Sequence, residues 1–125
     1  MTGGAGAAST PEEVFSNSPE GLRLCHAVRD AILSAVPATE RTTTSQVAFR
    51  NQRGFAYVWN PRRYLKTEVP AVLSIALSRR VESSRFKEVV HTSAGVWMHH
   101  LELVTADDVD EEVTAWLTEA FGAAA

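Results

Sequence analysis

The 125-residue chain has a single cysteine, Cys25, and no apolar run that approaches the ~18 residues a helix needs to span a bilayer. One thiol excludes an intramolecular disulfide and any zinc site built on a cysteine pair, and it suits a reducing compartment. Met1 to Thr10 lack both a basic start and a hydrophobic stretch, so they do not form a secretory signal. These absences together lead us to expect a cytoplasmic protein with no membrane partner. No internal repeat of 20 to 50 residues is visible, no Gly-x-Ser-x-Gly elbow occurs, and nowhere is a glycine cluster followed by Lys and Ser or Thr. Gly3-Gly4-Ala5-Gly6 therefore resembles a phosphate-cradling loop in composition only.

What is present is the composition of a globular protein. Apolar residues make up 45% and charged residues 22%, with three tryptophans, enough to bury one compact core and to exclude disorder throughout. The net charge of −3 conceals an uneven distribution. Residues 1–40 carry two basic and five acidic side chains, residues 41–100 ten and three, and residues 101–125 none and seven. A basic middle between acidic ends attracts anions locally while the whole chain stays mildly negative.

Met1 to Ser9, rich in Gly and Ala, read as a flexible tail; we expect residues 1–10 to lie outside a single α+β domain over residues 11–122. Thr10 and Pro11 cap a short helical turn through Phe15, and Ser18-Pro19-Glu20 repeats the signal for a longer helix. Leu24, Val28, Ala31, Ile32 and Ala35 form its apolar stripe, and Pro37 ends it near Val36. From Thr42 the pattern changes to β-branched and aromatic residues with period two. Gln46–Arg50 and Phe55–Trp59 flank Asn51-Gln52-Arg53-Gly54 as a hairpin. Asn60-Pro61 turns the chain, Tyr64–Lys66 reads as a short strand, and Ala71–Leu77 as a longer one. Ser78 to Thr92 has no clean period and is expected to be an irregular excursion. Val96–Val104 alternates again. The last helix opens in the carboxylates Asp107 to Glu112, with Asp107 as its expected N-cap, and carries the stripe Val109, Val113, Trp116, Leu117, Ala120 and Phe121. The expected architecture is α+β: an antiparallel sheet of four to five strands with an N-terminal and a C-terminal helix packed on one face.

Candidate chemistry is sparse. His99 and His100 are adjacent on a strand, so they point to opposite faces and cannot share a metal ion; His26 and His91 have no recognisable ligand partners. We expect no metal and no cofactor. His99 shares its face with Trp97 and Leu101 and reads as a core histidine, whereas His100 shares one with Met98 and Glu102 and is the better functional candidate. Cys25 reads as a small apolar filler, and Ser74 and Ser78 have no triad spacing. No catalytic residue is assigned. The remaining signal is the basic middle, Arg50, Arg53, Arg62, Arg63, Lys66, Arg79, Arg80, Arg85 and Lys87, with Tyr57, Trp59, Tyr64 and Trp97 interleaved. A net negative chain is a poor general nucleic-acid binder, so a local site for a small anion is the favoured reading.

The strings Phe55-Ala56-Tyr57-Val58-Trp59-Asn60-Pro61, Ser78-Arg79-Arg80, Phe86-Lys87-Glu88-Val89-Val90 and Gly95-Val96-Trp97-Met98-His99-His100-Leu101-Glu102-Leu103 resemble an uncharacterised bacterial family. Phe15 with Leu22-Arg23-Leu24, and Asp107 to Val113 with Trp116-Leu117, extend the likeness over about 105 residues. The family is domain of unknown function 5655. The resemblance implies a small α+β domain with no established reaction. Where its members often carry a basic residue and a tyrosine on the first strand, this chain reads Ser45-Gln46-Val47-Ala48-Phe49.

Two kinds of function follow as expectations. One is a non-catalytic binding module in which Tyr64, Arg79, Arg80, Lys87 and His100 accept an anionic ligand or an acidic protein surface. The other is an enzyme using His100 or His99 as general base, which requires a concave pocket and a second polar group beside the imidazole. Self-association through Trp59, Tyr64 or an edge strand is a third reading.

Overall fold

The computed structural model describes residues 9–125. The tail expected over residues 1–10 lies, apart from Ser9 and Thr10, outside the described residues. Helix α1 spans Pro11–Val14 and α2 Pro19–Ala35. Six strands follow: β1 Thr39–Thr42, β2 Gln46–Arg50, β3 Gly54–Trp59, β4 Ala71–Leu77, β5 Glu88–Ser93 and β6 Val96–Leu103. Helix α3, Glu111–Ala123, closes the chain, and 3-10 turns occupy Pro61–Arg63 and Ala106–Asp108.

The helix starts form where hydroxyls and carboxylates take up the free backbone amides. Thr10 and Glu13 cap α1 reciprocally. Ser18, fully buried, accepts from Gly21 N at 3.2 Å and donates to the Pro70 carbonyl at 3.1 Å, so one hydroxyl caps α2 and ties it to the approach to β4. That junction explains Gly21: a β-carbon there would collide with the Pro70 carbonyl, the Phe15 ring and the Ser18 hydroxyl. At α3 the cap is Asp110, not the expected Asp107. Asp110 Oδ1 accepts from Val113 N at 3.1 Å, while Asp108 Oδ2 accepts from Val104 N and Thr105 N and holds the preceding 3-10 turn. Among closely spaced carboxylates the apolar stripe decides, because Val113, Trp116, Leu117 and Ala120 must all reach the core.

All strand pairs are antiparallel, in the order β1-β2-β3-β4-β6-β5. The sheet has six strands rather than four to five, because both edges escaped the period-two reading. Strand β1 is Thr-Glu-Arg-Thr with one buried residue, and in β5 no residue is buried, so neither carries the alternation that marks a half-buried strand. Of the excursion expected over Ser78–Thr92, only residues 78–87 are irregular, and the rest belongs to β5. Tyr64–Lys66 is not a strand. The buried Asn60 amide donates to the Val14 carbonyl (3.1 Å) and to Asn17 Oδ1 (2.6 Å), and its Oδ1 accepts from Arg62 N, which winds Pro61–Arg63 into a 3-10 turn instead.

One face of the sheet is the core. Val47, Phe49, Ala56, Val58, Leu73, Ile75, Leu101 and Leu103 project from it against Phe15, Leu24, Val28, Ile32, Val113 and Leu117 of the helical layer. Among the described residues no α-helix lies over the opposite face.

Candidate functional site

Because side chains alternate along a strand, residues paired across neighbouring strands share a face and line up in rows. One row on the open face crosses the entire sheet: Arg41, Ala48, Tyr57, Ser74, His100 and Glu88, each directly opposite the next. The adjacent row is Gln46, Trp59, Val72 and Glu102. Between these rows an open cleft of about 530 Å³ is lined by Ser45, Gln46, Tyr57, Trp59, Tyr64, Ser74, Met98 and His100. Its size lies within the range of small-ligand sites, and aromatic rings make up much of its wall.

The floor carries a connected polar chain. Ser74 is 5% exposed; its Oγ lies 2.7 Å from His100 Nδ1 and accepts from Trp59 Nε1 at 3.4 Å. Indole can only donate, which leaves the Ser74 hydroxyl proton free to go to Nδ1. In that arrangement the His100 proton is on Nε2, and the imidazole offers a donor to the cleft. The end wall is built from the 3-10 turn. Arg63 Nη1 donates to the Thr44 carbonyl at 2.7 Å, tying this turn to the β1–β2 loop beside Ser45. The Arg63 guanidinium lies 6.0 Å over the Tyr64 ring, which is 57% exposed. On the far side Tyr57 is set by Gly54, where any β-carbon would strike the tyrosine hydroxyl. A second, narrower groove of about 270 Å³, with Leu65, Val69, Val72, Lys87, Glu88 and Glu102 in its wall, shares Trp59 with the first. The indole stands between the two.

Among known families, the model for Domain of unknown function (DUF5655) matches residues 12–124. The chain belongs to this family. No curated protein and no solved structure matches it. Among the described residues no helix is long and apolar enough to cross a membrane, and no group of three or more His, Cys, Asp or Glu side chains is placed to hold a metal ion.

In this family member the residues expected at one basic site are only partly together. Tyr64 and His100 line the same cleft, and Lys87 lies in the neighbouring groove. Arg79 and Arg80 do not join them. Arg79 makes a bidentate pair with Glu119 of α3 at 2.8 and 2.9 Å, on the helical side, and Arg80 pairs with Glu82 at 3.1 Å. The reason is the position of both residues just past the end of β4, where the chain leaves the sheet and meets α3. Arg85 is similarly engaged, with Asp110 and Glu112 and over the Trp116 ring. Two further guanidinium groups, Arg29 and Arg62, pair with Glu40 and Glu20. Arg41, Arg50, Arg63, Lys66 and Lys87 are in none of the ion pairs among the described residues. Carboxylates thus pair Arg29 on α2 and Arg79, Arg80 and Arg85 in the 78–87 segment, and leave Arg41, Arg50, Arg63, Lys66 and Lys87 outside these pairs.

His99 is the other outcome. It is fully buried on the core face, with Nε2 accepting from Val81 N at 3.0 Å and its ring 4.8 Å from that of Phe86, so it anchors the 78–87 segment and has no access to the cleft. Trp97 stacks on His91 at 4.1 Å on the same side and takes no part in the aromatic wall. Sequence reasoning did not single out Ser74 as a site residue. The available signal was a lone hydroxyl in Ala-Val-Leu-Ser-Ile-Ala-Leu, on the parity opposite to Leu73 and Ile75.

Proposed function

We propose that the protein is a binding module for a small anionic ligand with a flat apolar body, held in the open-face cleft. The observation that carries this reading is the row Tyr57, Ser74 and His100, in which an aromatic ring and a connected hydroxyl–imidazole pair meet one concave surface, with the ion-pair-free Arg41 continuing the same row through Ala48 beyond the cleft. The flat body packs against Tyr57, Trp59 and Tyr64. Its charged group takes donors from His100 Nε2 and from the guanidinium groups near the cleft. The contributing cations are Arg41 and Arg63 rather than Arg79 and Arg80, whose charges are already answered by Glu119 and Glu82.

The test is amide NMR titration with simple aromatic anions, such as a naphthalene sulfonate and a benzoate, at low and high salt. Shifts confined to β2, β3, β4 and β6, weakened by salt and by His100→Ala, are the expected result. Shifts spread over the helices, or none, would remove the reading.

The 2.7 Å contact between Ser74 Oγ and His100 Nδ1 favours a second reading, in which His100 acts as general base on the Ser74 hydroxyl. It requires that Ser74 react with an acylating or phosphonylating probe and that His100→Ala abolish the labelling. An unlabelled wild-type protein leaves the pair a binding element.

A further inference from the structure

The open face carries two ring platforms at neighbouring positions. Tyr57 and Trp59 are two residues apart on β3, so they project from the same face with their Cα atoms about 7 Å apart. Trp59 has ligand space on both sides, because it borders both depressions. Tyr64, from the 3-10 turn, adds a third and more exposed ring. Flat rings at successive positions on an uncovered antiparallel sheet are what unpaired bases stack on, and such stacking is tolerant of base identity.

Charge along the face is graded. At the β1–β2 end stand Arg41, Arg50 and, tied to the loop at Thr44, Arg63; at the β5–β6 end the strands contribute Glu88 and Glu102, with Lys87 in the same groove. A ligand with a continuous anionic backbone therefore meets net positive charge on one side of the rings and net negative charge on the other. Ser45 and Gln46, between the cations and the rings, offer a hydroxyl and an amide that both donate and accept, suited to base edges. Net charge argues against nucleic acid only while charges are counted over the whole chain. Most of the acidic residues lie on the helices and in the turns that lead into them.

Building on the aromatic-anion reading, we infer that the occupant is a nucleotide unit: its base stacks against Trp59 and Tyr64, and its phosphate lies toward Arg41 and Arg63. The chemistry is shared by a free mononucleotide and by one residue of a single strand, and length separates the two sources.

Fluorescence anisotropy of the full chain with labelled single-stranded DNA and RNA of about ten nucleotides, against the matching duplex and against AMP and UMP as competitors, provides the test. Single strands are expected to bind more tightly than duplex. The slope of log K against log salt is expected between about −1.4 and −2.1, for two or three phosphates neutralised. Tyr64→Ala, an exposed position whose loss leaves the core intact, should weaken binding roughly tenfold. Arg41→Gln should flatten the salt slope by about 0.7, and Arg79→Gln, on the helical side, should change neither quantity. Full competition by AMP or UMP at affinities equal to those of the oligonucleotides supports the free nucleotide; tighter binding with length supports the single strand. Duplex binding equal to single-strand binding, or Tyr64→Ala and Arg41→Gln behaving like wild type, overturns the inference. So does binding of aromatic sulfonates without any nucleotide or oligonucleotide, an outcome that leaves the broader aromatic-anion reading standing.

Discussion

Replacing His99 by glutamine should change how stability depends on pH more than it changes the fold. His99 is fully buried; Val81 N donates to its Nε2 at 3.0 Å, and its Nδ1 lies 3.0 Å from the Trp97 carbonyl and 3.3 Å from that of Ile75. An amide N–H can only donate and a carbonyl only accept, so the ring is neutral with its proton on Nδ1. A second proton would sit against the Val81 N–H. Burial pushes the pKa below its ordinary 6.5, the two backbone carbonyls oppose that shift, and the Arg80 and Arg79 charges add to it. The unfolded chain takes up this proton near pH 6.5 while the folded chain resists it. The stabilisation is therefore complete above pH 6.5 and is lost as the pH falls through the lower folded value, with a slope of at most about 1.4 kcal/mol per pH unit for one proton. Glutamine retains an acceptor for Val81 N and does not titrate. Its own cost, from lost ring packing against Phe86, should be about 1–2 kcal/mol at pH 7.5. Between pH 6.5 and 5.5 the gap to wild type should close by up to about 1 kcal/mol. Urea unfolding followed by tryptophan fluorescence measures it. Glu119 and Asp110 have pKa values lowered by Arg79 and by the Val113 amide with Arg85, so their contributions fade only under more acidic conditions. Wild-type and His99→Gln stabilities that run parallel from pH 7.5 to 5.5 would refute the assignment of a neutral, proton-refusing ring.

Three further perturbations have defined outcomes. Gly21→Ala forces a methyl group against the Pro70 carbonyl and the Phe15 ring and should cost about 1–3 kcal/mol in chemical denaturation; a neutral result would show that α2 can shift away from β4. Asn60→Ala removes the buried amide that ties the 3-10 turn to α1 and should destabilise by about 2–3 kcal/mol, with NMR shifts at Tyr64; an unchanged Tyr64 would mean that Arg63 alone holds that wall. Burial pushes the Cys25 thiol up to about 12, so a thiol reagent should label the native protein slowly and the unfolded protein at once, with mass spectrometry as the readout. Rapid native labelling would show that α2 opens locally.

Sequence alone determined the elements that carry their own signal. The cap at Ser18, the stripe from Leu24 to Ile32, the strand Ala71 to Leu77 and the hairpin around Gly54 each arise from local backbone chemistry and from the spacing of apolar residues, and the structure has them where expected. The two edge strands were illegible for the same reason: with hardly a residue buried, β1 and β5 have no alternation to display. Segregation of His99 from His100 was likewise a local matter, since adjacent strand residues must diverge. What only the tertiary structure decided is which residues separated in sequence meet. Ser74 faces His100 and Trp59 because β4 lies between β3 and β6, an order no local pattern encodes. Arg79 and Arg85 are lost to the open face because α3 packs across the sheet and brings Glu119, Asp110 and Glu112 to them. Charge counted along a chain says how many cations there are; only the packing of helices on one face determines which of them remain unpaired.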